Sequence, residues 1–184
     1  MDSDDIALPH RFESELNVLL DDPTIDIVGG NIAEFIGDEE NIVAKRVVPV
    51  SDSAIKQYMR KRCPFNHMTV IYKRSAVLNC GNYIDLFWNE DYYLWIRMAE
   101  DGCKMANTGD IAVKVRTGKD MYKRRGGRRY FKSEMFLQKY MLKNKMIDSF
   151  TFFINLSKRV IIQLLLPSGI RGWVFRKFAR KEVW

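Results

Sequence analysis

The chain has 184 residues, 47% of them apolar and 29% charged, with a formal net charge of +7. That length supports one domain with a real core, and eleven glycines with five prolines exclude collagen-like, low-complexity and disordered classes. The charge is divided: residues 1–110 hold nineteen acids against eleven Lys and Arg, and residues 111–184 hold four against nineteen. A basic tail of that kind suits nucleic acid, an anionic membrane surface or a phosphorylated ligand.

The three cysteines, Cys63, Cys80 and Cys103, form no C-x-x-C pair and no zinc-type spacing with His10 or His67. Reduced thiols in a cytosolic compartment are the simplest expectation. Met1 leads directly into acidic residues, which argues against a signal peptide. The most apolar stretch, Phe150 to Leu166, is interrupted by Asn155, Ser157, Lys158, Arg159 and Gln163, so no transmembrane helix is expected.

In chain order, Leu8 to Asp22 reads as a helix burying Phe12, Leu16, Leu19 and Leu20 on one face. Residues 25–36 are β-rich, with Gly29–Gly30 marking a bulge or a close backbone approach. A polar turn at 37–41 leads to a second extended segment, 42–50, and Ser51 has the chemistry to cap a helix reaching about Arg62. Residues 67–74 read as a strand. Asn89 can cap the next helix, with Glu90 and Asp91 in its first turn, a buried stripe of Leu94, Trp95 and Met98, and Gly102 as its stop. Residues 103–116 read as strand, turn and strand, and helices follow from about Arg128. Interleaved strands and helices indicate an α/β class.

Three stretches carry chemistry. Asp2, Asp4 and Asp5 form D-x-D-D ahead of a helix; PFNHMTVIYKRSAVLNCGNY spans 64–83; WNEDYYLWIRMAEDG spans 88–102, before the basic VRTGKDMYKRRGGRRY at 115–130. In this order they resemble the family 2 glycosyltransferases of the GT-A fold that assemble bacterial surface polysaccharides. The resemblance covers residues 1 to about 135. It implies an incomplete, Rossmann-like GT-A domain over 1–135, with a basic, amphipathic helical tail over 136–184. The family's N-terminal nucleotide-binding half has no counterpart here, so the resemblance also implies a truncated enzyme that is inactive and poorly stable alone, with an uncovered edge and an exposed apolar face.

The resemblance implies roles residue by residue. Asp2 and Asp4 would contact a UDP-sugar and its Mn²⁺ or Mg²⁺, with Asp4 as the direct metal ligand. Asp91 would be the general base and Glu90 its neighbour, a like charge that favours proton uptake. Asp5 could simply begin the helix. His67 would border the donor and acceptor cleft, or be an ordinary polar residue, and Asn66 is a weaker candidate. Arg116, Arg124 and Arg125 belong to a basic loop suited to closing over a diphosphate, although a solvated charge run has the same composition. The acceptor implied is a glycan or lipid-linked glycan. Tyr92, Tyr93, Trp95 and Trp88 could stack on sugar rings, but helical spacing makes most of them core.

In the tail, Phe150, Phe153, Ile154, Ile161, Leu164 and Leu165 can share a helical face, and Trp173, Phe175 and Phe178 lie among basic residues. That composition fits an interfacial helix on an anionic membrane surface, or alternatively helices packed over the core. No nucleic-acid-binding motif is present, so nucleic acid is not an expected partner. The expected location is cytoplasmic, peripheral on the inner face of the bacterial cell membrane.

Overall fold

The computed structural model describes residues 1–118 and 126–167. Its strands are β1 (Ile6–Ala7), β2 (Ile25–Phe35), β3 (Ile42–Arg46), β4 (Ile71–Tyr72) and β5 (Lys104–Arg116). Its helices are α1 (Arg11–Asp21), α2 (Asp52–Met59), α3 (Arg74–Asn79), α4 (Glu90–Glu100), α5 (Arg128–Lys143) and α6 (Ser149–Arg159). A 3₁₀ turn spans His67–Thr69, and a π turn, Val160–Leu165, extends α6.

One mixed sheet runs β1-β5-β2-β3, with β4 pairing β2 as well. β2 is central: it pairs parallel to β5 and antiparallel to β3 and β4. Its side chains alternate between two packed faces, so nearly the whole strand is buried. Ile27 and Met105 face the main core, while Val28 and Ala106 pack with Val18 and Leu19 of α1 on the other side.

The main core gathers Ile55 and Met59 of α2, Leu94, Trp95, Ile96 and Met98 of α4, and Leu137 and Met141 of α5. The expected stripe of α4 is fully buried, and Tyr92, Tyr93 and Ile96 are buried with it, because sheet and helices surround the helix. Truncating a large side chain such as Trp95 here costs about 3–5 kcal/mol. α5 runs through residue 135 without a break, and its Leu137 and Met141 join the same core as the preceding elements.

The glycine pair marks a close approach. A Cβ on Gly29 would meet Asn107 Oδ1 at 2.7 Å and Phe65 Cδ1 at 2.9 Å, and one on Gly30 would meet the Ala112 Cβ at 2.8 Å. The expected strand–turn–strand at 103–116 is instead one strand. The turn signal at Gly109, φ +84°, becomes a bulge, where the partners of Gly29 and Asn31 jump from Asn107 to Ile111.

Other expectations need correction. The 67–74 strand shrinks to the two residues of β4, flanked by the 3₁₀ turn and by α3. Ser51 sits at the α2 cap position without a side-chain hydrogen bond, and Asp52 accepts from the Met105 N–H instead. The expected apolar face of α1 is split: Phe12 is 57% and Leu20 73% exposed and Leu16 is exposed too, whereas Leu19 packs on Val28 and Ala106, and Arg11 and Glu15 are buried. Asp5 does not begin α1, since β1 intervenes and pairs with β5 at Ile6↔Lys114.

Candidate active site

A cleft of about 1500 Å³ opens along the C-terminal ends of β5 and β3, the start of α4 and the inner side of α5 and α6. It is lined by Asp2, Asp4, His67, Glu90, Asp91 and Arg116, so the predicted site residues among the described ones share one cavity. Arg124 and Arg125 lie outside the described residues.

The acidic turn is held by the end of β5. β1 pairs with that strand, and Asp5 Oδ1 accepts from the Arg116 N–H at 3.2 Å. Burial pushes the Asp5 carboxyl up, the Arg116 N–H partly offsets this, and the charges of Asp2 and Asp4 push it up further. Asp2 and Asp4 are exposed beside it. The turn is therefore a crowded patch of negative potential on a sheet edge.

Glu90 and Asp91 start α4 as expected, preceded by Asn89. That asparagine does not cap through its side chain; its Nδ2 donates to Ser133 Oγ at 2.8 Å and ties the start of α4 to α5. Asp91 Oδ1 accepts from the Tyr92 N–H at 2.7 Å, and Oδ2 faces His67 Nδ1 at 3.8 Å. The turn carrying His67 is fixed to the sheet, because Asn66 Nδ2 donates to the Gly30 carbonyl at 2.8 Å and Thr69 Oγ1 accepts from the Gly30 N–H at 2.9 Å. Asn66 thus serves as an anchor for this turn.

Arg116 lines the cleft with its guanidinium engaged, donating to the Gly37 carbonyl at 2.7 Å and lying 4.6 Å from the Phe35 ring centroid. The aromatics divide: Tyr92, Tyr93 and Trp95 are core, while Trp88 is 53% exposed at the cleft with φ +60°.

Several cleft residues escaped the sequence reading. Arg159 of α6 is nearly buried, ion-paired with Glu134 of α5, and donates to the Lys61 carbonyl at 3.2 Å. Tyr130 Oη donates to Glu134 at 3.2 Å, and Asn155 Nδ2 to Gln138 Oε1 at 2.9 Å. Arg46 donates to the Cys63 carbonyl at 2.7 Å, and Arg62 and Lys158 also line the cavity. The available signal was the run of polar residues interrupting the apolar stretch 150–166. Carboxylates and guanidiniums that share the cleft suit a ligand that carries phosphate together with a hydroxyl-bearing partner.

No family model matches the chain. It is 44% identical to an uncharacterized glycosyltransferase of Haemophilus influenzae over 98% of its own length and 67% of that protein. The chain belongs to this glycosyltransferase family. It is 39% identical to the amylovoran biosynthesis glycosyltransferase AmsE of Erwinia amylovora, over 78% of this chain and 52% of that protein. It is also 33% identical to the UDP-Gal:alpha-D-GlcNAc-diphosphoundecaprenol beta-1,3-galactosyltransferase of Escherichia coli, over 98% of this chain and 65% of that protein. The chain thus spans between about half and two thirds of the length of these relatives. Among the described residues, no helix is long and apolar enough to cross a membrane.

Proposed function

We propose that this glycosyltransferase is an inverting, family 2 hexosyltransferase that moves a sugar from a UDP-sugar to a lipid-linked glycan during surface-polysaccharide assembly. The observation that carries the reading is that Asp2 and Asp4 share one cleft with Asp91, although 86 residues lie between Asp4 and Asp91 in the chain. The UDP-galactose donor and diphosphoundecaprenol acceptor named for the Escherichia coli relative support the substrate classes.

The acceptor hydroxyl attacks the anomeric carbon and gives its proton to Asp91, while the bond from that carbon to the diphosphate breaks and its electrons leave with UDP. His67 lies against Asp91 and orients it or the acceptor hydroxyl. Trp88 offers an exposed ring for a sugar face.

Asp2 and Asp4 of the acidic turn would hold Mn²⁺ or Mg²⁺. Asp2 and Asp4 are exposed, hard oxygen donors whose charge already weighs on Asp5, and Mg²⁺ typically takes one or two carboxylates plus substrate phosphates. Held there, the cation would neutralise charge on the departing diphosphate.

The outer face of α6 and its π turn fits a membrane surface. Phe150 is 74% and Phe153 64% exposed, with Ile161, Leu164 and Leu165 exposed beyond them. A lipid-linked acceptor would be reached from that surface, placing the protein peripherally on the inner face of the membrane. Trp173, Phe175 and Phe178 lie outside the described residues.

The test is UDP release and sugar transfer to a diphosphoundecaprenol-linked GlcNAc, using the chain joined to the third of the Haemophilus relative that it does not cover. Divalent-cation-dependent turnover is expected. Failure of that protein to bind any UDP-sugar with Mn²⁺ present would overturn the reading.

A further inference from the structure

A second cluster of metal-ligating groups stands outside the cleft. Cys80, Asp101 and Cys103 bring two sulfurs and a carboxylate oxygen within 4.8 Å of one another, and none of the three lines the cavity described above. We propose that Cys80, Asp101 and Cys103 form a zinc-binding site, with three protein ligands and a fourth position left to water.

One edge of the cluster has the length a zinc site would set. Cys80 Sγ lies 3.6 Å from Asp101 Oδ2. With Zn–S of about 2.3 Å and Zn–O of about 2.0 Å, a tetrahedral site sets such a sulfur–oxygen edge at about 3.5 Å. That edge therefore accepts the ion with little movement. Two thiolates select a soft or borderline ion such as Zn²⁺ over Mg²⁺ or Mn²⁺.

The backbone fixes these ligands independently. α4 ends in a Schellman motif: Gly102, φ +84°, donates to the Ala99 carbonyl at 3.3 Å, and Cys103 donates to the Met98 carbonyl at 2.9 Å. α3 ends the same way, with Gly81, φ +79°, donating to Leu78 at 3.0 Å and Asn82 to Val77 at 2.9 Å. Cys80 and Asp101 are the two cap residues, so both stand at negative helix ends that favour a cation. Arg97 occupies the Cys80 carbonyl rather than the sulfur.

The ion would staple α3, α4 and the start of β5, and so fix the base of the segment that brings Tyr83 and Trp88 to the cleft.

The experiment titrates the metal-free full chain with Zn²⁺ against a chromogenic chelator, and separately with Co²⁺. One equivalent of submicromolar Zn²⁺ and a thiolate-to-Co²⁺ charge-transfer band are expected. Cys80→Ser and Cys103→Ser each remove the band, and Asp101→Asn weakens Zn²⁺ binding by at least about tenfold. Cys103 is buried, so the half-buried Cys80 and the wild-type Co²⁺ spectrum guard against simple misfolding. Zinc binding that survives Cys80→Ser, no uptake at all, or a Cys80–Cys103 disulfide that excludes the metal would each overturn the site. Mn²⁺ binding at Asp2 and Asp4 is untouched by Cys80→Ser, so this proposal and the transferase mechanism fail separately.

Discussion

His67 Nδ1 stands 3.8 Å from Asp91 Oδ2, and the two side chains are presented by different elements. His67 comes from a turn pinned to the Gly30 backbone; Asp91 comes from the first turn of α4, tied to α5 through Asn89 and Ser133. With the base role assigned to Asp91, Asp91→Asn lowers kcat by roughly 10²- to 10⁴-fold while leaving UDP-sugar binding in place. His67→Ala, removing an orienting contact, costs less. Single-turnover UDP release on the chimeric enzyme checks both, and unchanged turnover in Asp91→Asn would remove that residue from the mechanism.

The Gly29 position links the core to that pair. Adding a methyl group there drives it into Asn107 Oδ1 and Phe65, both anchored. Asn107 Nδ2 donates to the Pro49 carbonyl at 2.6 Å, and Phe65 packs at 5.7 Å from the Trp95 ring. Gly29→Ala therefore destabilises by about 1–3 kcal/mol, read as a lower urea midpoint at unchanged slope. It also shifts the segment carrying His67, so turnover falls more than the unfolded fraction explains.

What the sequence made visible follows from how local each signal was. β2 with its glycine pair, α4 with its buried stripe, and the acids at either side of the cleft were all legible in short windows. β1 was not, because two residues carry no period and its pairing is decided by β5. The helical pattern of α1 was legible but the buried face was not: either face of Phe12–Leu20 could have met the sheet, and the Arg11–Glu15 side did. The Arg159–Glu134 pair joins residues from two helices, and only the packing of α5 on α6 brings them together. Cys80 and Cys103 failed every sequence spacing rule for metals because two helix ends, rather than one loop, assemble them.

The exposed face of α6 gives a separable prediction for membranes. Replacing Phe150 and Phe153 with serine removes two large apolar groups that already face solvent. Stability in solution therefore changes by less than about 0.5 kcal/mol, the usual range for surface changes. Binding to vesicles containing phosphatidylglycerol falls by at least about tenfold, since inserting one such side chain is worth about 1.5–3 kcal/mol. Sedimentation with liposomes distinguishes the outcomes. If the double variant instead lowers the melting temperature with unchanged vesicle binding, the face packs against protein.

Glu15 gives the pH dependence of stability its most specific test. The carboxyl is fully buried beneath α1, and burial pushes it up to about 7, with the Arg11 guanidinium only partly opposing the rise. The folded state therefore holds this proton more tightly than the unfolded chain does. Stability from this group is complete below pH 4.5 and is lost as pH rises to about 7, an effect of at most about 3 kcal/mol. Asp22, held down at about 2 by Lys104 and Thr24, slopes the opposite way, and Asp148 is lowered as well, whereas burial raises Asp5, so the comparison must be made against a variant. Arg11→Met with Glu15→Leu removes both buried charges and is neutral or stabilising by about 1–4 kcal/mol at pH 7.5. Glu15→Leu alone strands the Arg11 guanidinium and destabilises by about 3 kcal/mol. Urea unfolding at pH 4.5 and 7.5 should show the wild type losing stability relative to the double variant as pH rises. A difference that stays constant, or grows in the wild type's favour, would mean that Glu15 is ionised throughout and that the face of α1 packed on the sheet is solvated.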